Sequence, residues 1–159
     1  MNTKKYLIAG ALALTMSAPA MAQEVNYAKA LEPITAALKA APNDPKAAKD
    51  LIKEYQKTFK KDEEAIVALG NVYLLQHNFT EAEALANSVI NNKKFNGSKA
   101  YVLLGDIAAI QDSIGNAGAA AQQYQTAISL DPHNVTAYER YAKVYRHVNS
   151  KVAVAKLEE

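Results

Sequence analysis

Three histidines, His77, His133 and His147, are the side chains of this chain best suited to ligating a metal or moving a proton near neutral pH. None of them stands at a metal-ligand spacing such as H-E-x-x-H, and His77 and His133 fall in predicted turns. There is no cysteine, which removes disulfides, thiolate metal ligands, a thiol nucleophile and a lipid-modified thiol. The sequence has neither a phosphate-binding G-x-x-x-x-G-K-[ST] loop nor a G-x-S-x-G nucleophile elbow. Gly115-Asn116-Ala117-Gly118 follows no strand, so it is not a dinucleotide fingerprint. The carboxylates of Asp62-Glu63-Glu64, and of Glu81 and Glu83, fall at predicted helix starts, where negative charge offsets the helix dipole. We therefore expect no enzyme: no catalytic residue, no metal site and no cofactor.

The aromatic and basic residues read more simply. Of nine tyrosines, Tyr124, Tyr138, Tyr141 and Tyr145 gather near the C-terminal end. Tyr138, Tyr141 and Tyr145 share one helical face, which predicts core at a repeat junction or, in the alternative, an aromatic binding ledge. Lys60-Lys61 and Lys93-Lys94 sit near predicted helix ends, where cations complement the dipole. Asn78-Phe79-Thr80, Asn96-Gly97-Ser98 and Asn134-Val135-Thr136 match the N-glycosylation pattern, but the N-terminal leader looks bacterial and they are set aside. Asp112-Ser113-Ile114 resembles an O-glycosylation acceptor of some Gram-negative bacteria.

The elements that would carry these residues follow from composition and period. The chain has 159 residues, half of them apolar, with 6 Gly and 5 Pro, which points to packed helices and away from loop-rich all-β domains. Residues 1–22 read as a secretory signal peptide: Lys4 and Lys5, a short apolar stretch, then Ala20-Met21-Ala22, with an uncleaved anchor as the alternative. Cleavage after Ala22 leaves Gln23 first and implies a periplasmic or secreted protein. It also removes two of the 18 basic residues, leaving 16 against 16 acidic, with no excess to bind a phosphate backbone. No nucleic-acid partner and no membrane insertion of the mature chain are expected.

A period runs through residues 23–159. Ile66-x2-Leu69-Gly70-x2-Tyr73, Tyr101-x2-Leu104-Gly105-x2-Ala108 and Tyr138-x2-Tyr141-Ala142-x2-Tyr145 recur, 35 residues apart (70 to 105) and 37 apart (105 to 142). Ala82-x3-Ala86 and Ala120-x3-Tyr124 open second helical stretches, and Leu130-Asp131-Pro132 ends one. The pattern predicts helices near 27–41, 45–60, 62–76, 80–92, 97–111, 117–130, 135–147 and 150–158, with no strand. Thr80 with Glu83 reads as a capping box, and Asn43-Asp44-Pro45 as a stop followed by a start. Gly70 to Ala82 is 12 residues but Gly105 to Ala120 is 15, so the turn at 112–118 is lengthened.

These residues resemble the tetratricopeptide repeat, W-x2-L-G-x2-Y…A-x3-F…P. Units run over residues 63–96 and 97–134, a partial unit over 135–159 and a degenerate one over 27–62. The resemblance implies an all-α, right-handed solenoid of antiparallel helix hairpins whose first helices line a concave groove for a peptide or helix of a partner protein. By position that groove comprises Val67 and Asn71, Val102 and Asp106, and Glu139, Lys143 and Arg146. Some members clamp a C-terminal carboxylate. Asn71 and Arg140 match that clamp, but Val67 and Leu103 stand where Lys and Asn belong, so an amphipathic helix or extended segment suits the groove better. The last stretch ends without a helix stop after Leu157, and the array is expected to continue past Glu159 or be covered by a partner. The alternative function is self-association by stacking through the C-terminal face.

Overall fold

The computed structural model describes residues 26–41, 44, 47–111 and 117–148. Every regular element among them is an α-helix: α1 (Tyr27–Ala40), α2 (Lys49–Thr58), α3 (Glu63–Leu75), α4 (Phe79–Ile90), α5 (Ser98–Gln111), α6 (Ala117–Leu130) and α7 (Val135–Val148). The signal peptide at 1–22, the helix expected at 150–158, the turn at 112–116 with Ser113, and Pro45 lie outside the described residues. The second helix, expected from residue 45, begins only at Lys49.

The chain divides into two compact units, one ending at Tyr55 and one beginning at Gln56. In the first, α1 buries Leu31, Ile34 and Leu38, an i, i+3, i+7 stripe, and α2 buries Ile52 and Tyr55. The Asn26 side chain caps α1 by accepting the Lys29 N–H at 3.1 Å.

The second unit holds α3 to α7. Helix α3 packs on α4 and α5, α5 also packs on α4, α6 and α7, and α6 packs on α7. A helix with neighbours on more than one side buries most of its circumference. α3 accordingly buries Ala65, Val67, Leu69, Gly70, Val72, Tyr73 and Leu74, while Ile66, expected beside Leu69 and Tyr73 in the core, is only half-buried.

The turn from α3 to α4 differs from the capping box expected at Thr80. His77 adopts φ +57°, its N–H bonds the Leu74 carbonyl at 3.0 Å, and the Asn78 N–H reaches back to Tyr73 at 2.9 Å. This pair of bonds is a Schellman closure, with histidine where glycine is usual. It delivers the chain two residues early, so Asn78 takes the N-cap position, without a side-chain cap bond, and Thr80 falls inside α4.

The starts of α3, α5 and α7 are joined by side-chain bonds at nearly constant register. The two oxygens of Glu63 accept the Asn96 and Gly97 N–H groups, both at 2.9 Å and 33 and 34 residues away. Gly97 sits at φ +83°, a conformation open to glycine, and its N–H and that of Asn96 converge on one carboxylate. Asn96 accepts the Ser98 N–H and donates to the Leu130 carbonyl, 34 residues on. Ser98, buried, donates to the Ala127 carbonyl at 2.7 Å and accepts from Asn134 at 2.8 Å, 36 residues away. Asn134 also caps α7 by accepting the Ala137 N–H. Lys99 pairs with Glu64 at 2.8 Å on the surface, a contact worth under about 1 kcal/mol.

Two glycines mark the closest helix approaches. A methyl group on Gly105 would stand within 2.8 Å of three ring carbons of Tyr124, whereas one on Gly70 would meet mainly the tip of the Leu103 side chain. The phenol ring is held on its far end by a hydrogen bond and cannot swing aside; a leucine methyl can. Gly105→Ala is therefore expected to destabilise the fold by about 1–3 kcal/mol through overpacking, less about 1 kcal/mol returned by helix propensity. Gly70→Ala should be close to neutral. Urea midpoints of the two variants check this, and equal losses would contradict it.

Candidate functional site

A cavity of about 640 Å³ opens along the first helices of the second unit. Asn71, Leu74 and Leu75 come from α3, Asp106, Ala109 and Ile110 from α5, Arg140, Lys143 and Val144 from α7, and Ala117, Ala120 and Tyr124 from α6. Side-by-side contact of α3 with α5 and of α5 with α7 puts residues about one repeat apart on a common surface. Three of the groove positions expected from the sequence, Asn71, Asp106 and Lys143, are brought together there. Val67 and Val102 are not: they are 6% and 7% exposed, and they belong to the core because α3 and α5 bury so wide an arc. Glu139 and Arg146 are exposed but lie outside the cavity lining.

Two large apolar side chains of the wall meet solvent. Leu75 is 76% exposed and Ile110 47%. Each lies one helical turn beyond a predicted groove residue, Asn71 and Asp106, and a large apolar residue four positions on in two successive units is the sequence signal that could have found them.

The polar centre is a three-residue link. The Tyr124 hydroxyl donates to Asp106 Oδ1 at 2.8 Å, and Arg140 pairs with the same oxygen as an ion pair, Nε 3.1 Å away. Tyr124 is 1% exposed, packed with Val102, Ala121, Ala127, Ala137 and Tyr141. Burial drives its pKa far above the ordinary phenol range, and the Asp106 carboxylate adds to the rise as charge and as acceptor, with Arg140 opposing. The hydroxyl thus remains a donor across the physiological range. Asp106 is mostly buried and Arg140 about half exposed. Arg140 and Lys143 are three residues apart on one face of α7, so this part of the wall carries two cations against one carboxylate.

The tyrosines near the C-terminus divide accordingly. Tyr124 and Tyr141 are core; Tyr141 takes a hydrogen bond from Gln125 Nε2 at 2.5 Å and its ring lies 4.5 Å from the half-buried Tyr145.

A second cavity, about 750 Å³, surrounds the helix starts at Glu63, Glu64, Asn96, Ser98 and Lys99. Glu63, Glu64, Asn96, Ser98 and Lys99 in its lining are already engaged in the junction described above. Among the described residues no group of three or more His, Asp or Glu is placed to hold a metal ion, and no helix is long and apolar enough to cross a membrane. His77 packs edge-on against Phe79, ring centroids 5.7 Å apart, and His133 is exposed in the turn before α7. No family model matches the chain, and comparison with curated proteins gives no significant match.

The raised Tyr124 pKa has a stability consequence. Above the ordinary phenol pKa of 10.0 the unfolded chain releases a proton that the native Tyr124 keeps, so the contribution is whole below about pH 10 and is lost as pH rises beyond it. Tyr73, raised chiefly by burial and then by Glu81, acts in the same direction. Tyr124→Phe should cost about 1 kcal/mol at neutral pH, from the lost hydrogen bond, and should show a shallower fall in stability between pH 10 and the onset of alkaline unfolding. Urea titrations at a series of alkaline pH values test it; parallel curves for the two proteins would disprove the linkage.

Proposed function

We propose that the chain is a secreted or periplasmic binding protein of the tetratricopeptide-repeat kind, which docks a peptide or helix of a partner protein in the groove along α3, α5 and α7. It is read as a scaffold and not as an enzyme. The repeat reading is supported by the order of helix contacts, each first helix packing on its own second helix and on the next first helix, and by junction bonds that recur at 33 to 36 residues. A solenoid of hairpins is the architecture in which such a register arises, because each pair buries its apolar face only against its neighbours.

The single observation that carries the docking reading is the exposure of Leu75 and Ile110 on the wall of a cavity that also presents Asn71, Asp106 and Lys143. Leucine and isoleucine side chains left in water beside fixed polar groups have the make-up of a recognition groove, an apolar floor for affinity and a few polar groups for orientation. The mechanism is capture on a preformed surface. The N-terminal segment, by its charge and cleavage pattern, directs the protein to that compartment.

Binding of amphipathic peptides to the full chain, followed by fluorescence anisotropy, tests the reading. Leu75→Asp and Ile110→Asp each remove apolar contact area and introduce a charge to be desolvated. Each should weaken peptide binding by about 10-fold or more while leaving the thermal midpoint within a few degrees, since both residues are on the surface. Peptides that bind both variants as well as the parent would rule the groove out.

A further inference from the structure

We infer that Asn96-Gly97 is a site of spontaneous modification gated by the fold: the junction between α3 and α5 protects it from deamidation, and the acid formed when that junction opens hinders its closing again. The inference is independent of what the groove binds.

Asn96-Gly97 is the one Asn-Gly pair in the chain. Asparagine is most labile in water when glycine follows it, because glycine has no Cβ to obstruct the approach of its own nitrogen to the preceding carboxamide. In the reaction the Gly97 nitrogen gives up its proton to solvent base and bonds to Cγ of Asn96. The bond from Cγ to Nδ2 breaks, and that nitrogen takes a proton from solvent and leaves as ammonia. A five-membered succinimide remains. Water then adds to one of its two carbonyls and opens the ring, giving aspartate or isoaspartate. Water is the sole co-reactant, and nothing is oxidised or reduced.

The reacting atoms are all engaged in the native junction. The Gly97 N–H, whose nitrogen must attack, donates to Glu63 Oε1 at 2.9 Å, and the Asn96 N–H donates to Oε2 at 2.9 Å. A carboxylate is too weak a base to take an amide proton, and its negative charge opposes the amide anion that the attack requires. Gly97 is buried, which holds solvent base away from it. Asn96 Oδ1 accepts the Ser98 N–H at 3.0 Å, and Nδ2, the leaving group, donates to the Leu130 carbonyl at 3.1 Å. The ring cannot close around Cγ without drawing these two atoms off their partners. Asn96 itself is exposed, so its protection comes from these bonds and not from burial. Deamidation therefore proceeds from molecules in which the junction has opened locally.

The product fits the junction badly. An oxygen replaces Nδ2, so an acceptor faces the Leu130 carbonyl where a donor stood. The new carboxylate belongs to the residue whose N–H reaches Glu63, and two negative charges meet at the start of α5. In isoaspartate the chain runs through the side chain, and the extra backbone atom displaces Gly97 and Ser98 as well. Opening is thereby recorded covalently, and the contact of α3 with the start of α5 stays loosened.

The full chain is incubated at fixed temperature and mildly alkaline pH beside a synthetic peptide of residues 92–100, and peptide mapping by mass spectrometry reads the fraction of acid at position 96. The parent should deamidate about 10-fold or more slowly than the peptide. Glu63→Ala, which removes both acceptors, should raise the rate several-fold towards the peptide's. Glu63→Gln keeps the size and one acceptor oxygen but not the charge, and should lie between the two; it carries the test if circular dichroism shows that Glu63→Ala does not fold. Glu64→Gln, which removes only the surface pair with Lys99, should deamidate at the parent's rate. Asn96→Asp, the product itself, should exchange the Gly97 amide hydrogen several-fold faster than the parent. A parent that deamidates as fast as the peptide would overturn the protection. A Glu63→Gln rate equal to or below the parent's, or a Glu64→Gln rate as high as that of Glu63→Gln, would overturn the part assigned to Glu63. Unchanged Gly97 exchange in Asn96→Asp would overturn the lasting release.

Discussion

Tyr124 rests its ring on the bare backbone of Gly105, and the second unit is organised around that contact. Because residue 105 has no side chain, α6 can approach α5 closely enough for the phenol to lie across the helix. The hydroxyl then ends beside the next residue, Asp106, and Asp106 in turn takes hold of Arg140 on α7. A single close approach thus couples core packing to the charge pattern of the groove. A bulkier residue at 105, or a tyrosine unable to donate, would disturb both together.

The second constraint is polar. Glu63 holds the start of α5, and Ser98, 35 residues later, is held by Asn134 at the start of α7. The two junctions use different chemistry, a carboxylate accepting two backbone N–H groups and a buried hydroxyl in a relay, for the same task of placing one first helix against the next. Every described buried side-chain polar atom has a partner. A fully satisfied network of this kind specifies one register, because a shifted neighbour would leave Ser98 or Asn134 desolvated and unbonded. That register is what lines up Asn71, Asp106 and Lys143 along a common wall.

The helices were legible in the sequence because their determinants are local. Apolar residues at helical spacing, the carboxylates at the start of α3 and Pro132 in a turn act within a few residues of themselves, and α3, α5, α6 and α7 begin and end close to their expected places. The failures have equally local reasons. Thr80 loses the N-cap position because His77 accepts a left-handed conformation that its side chain does not advertise. Asn96 and Asn134, noticed only as acceptor patterns for sugar, turn out to be caps and junction ligands, since an asparagine beside serine or threonine is ambiguous until its neighbours in space are known.

The groove shows most clearly where sequence reasoning stops. Helical character and the recurrence of similar residues about 35 positions apart were determined by the order of residues alone, because each follows from spacing along one chain. Which of the repeated positions face outward was not. Val67 and Asn71 stand one helical turn apart, yet one is core and the other lines the cavity, because α3 is enclosed by α4 and α5 on different sides. Likewise nothing in the sequence ties Tyr124 to Asp106, 18 residues earlier, or Asp106 to Arg140 on α7. Burial and hydrogen bonding depend on what a neighbouring helix covers, and that is settled only when the helices pack.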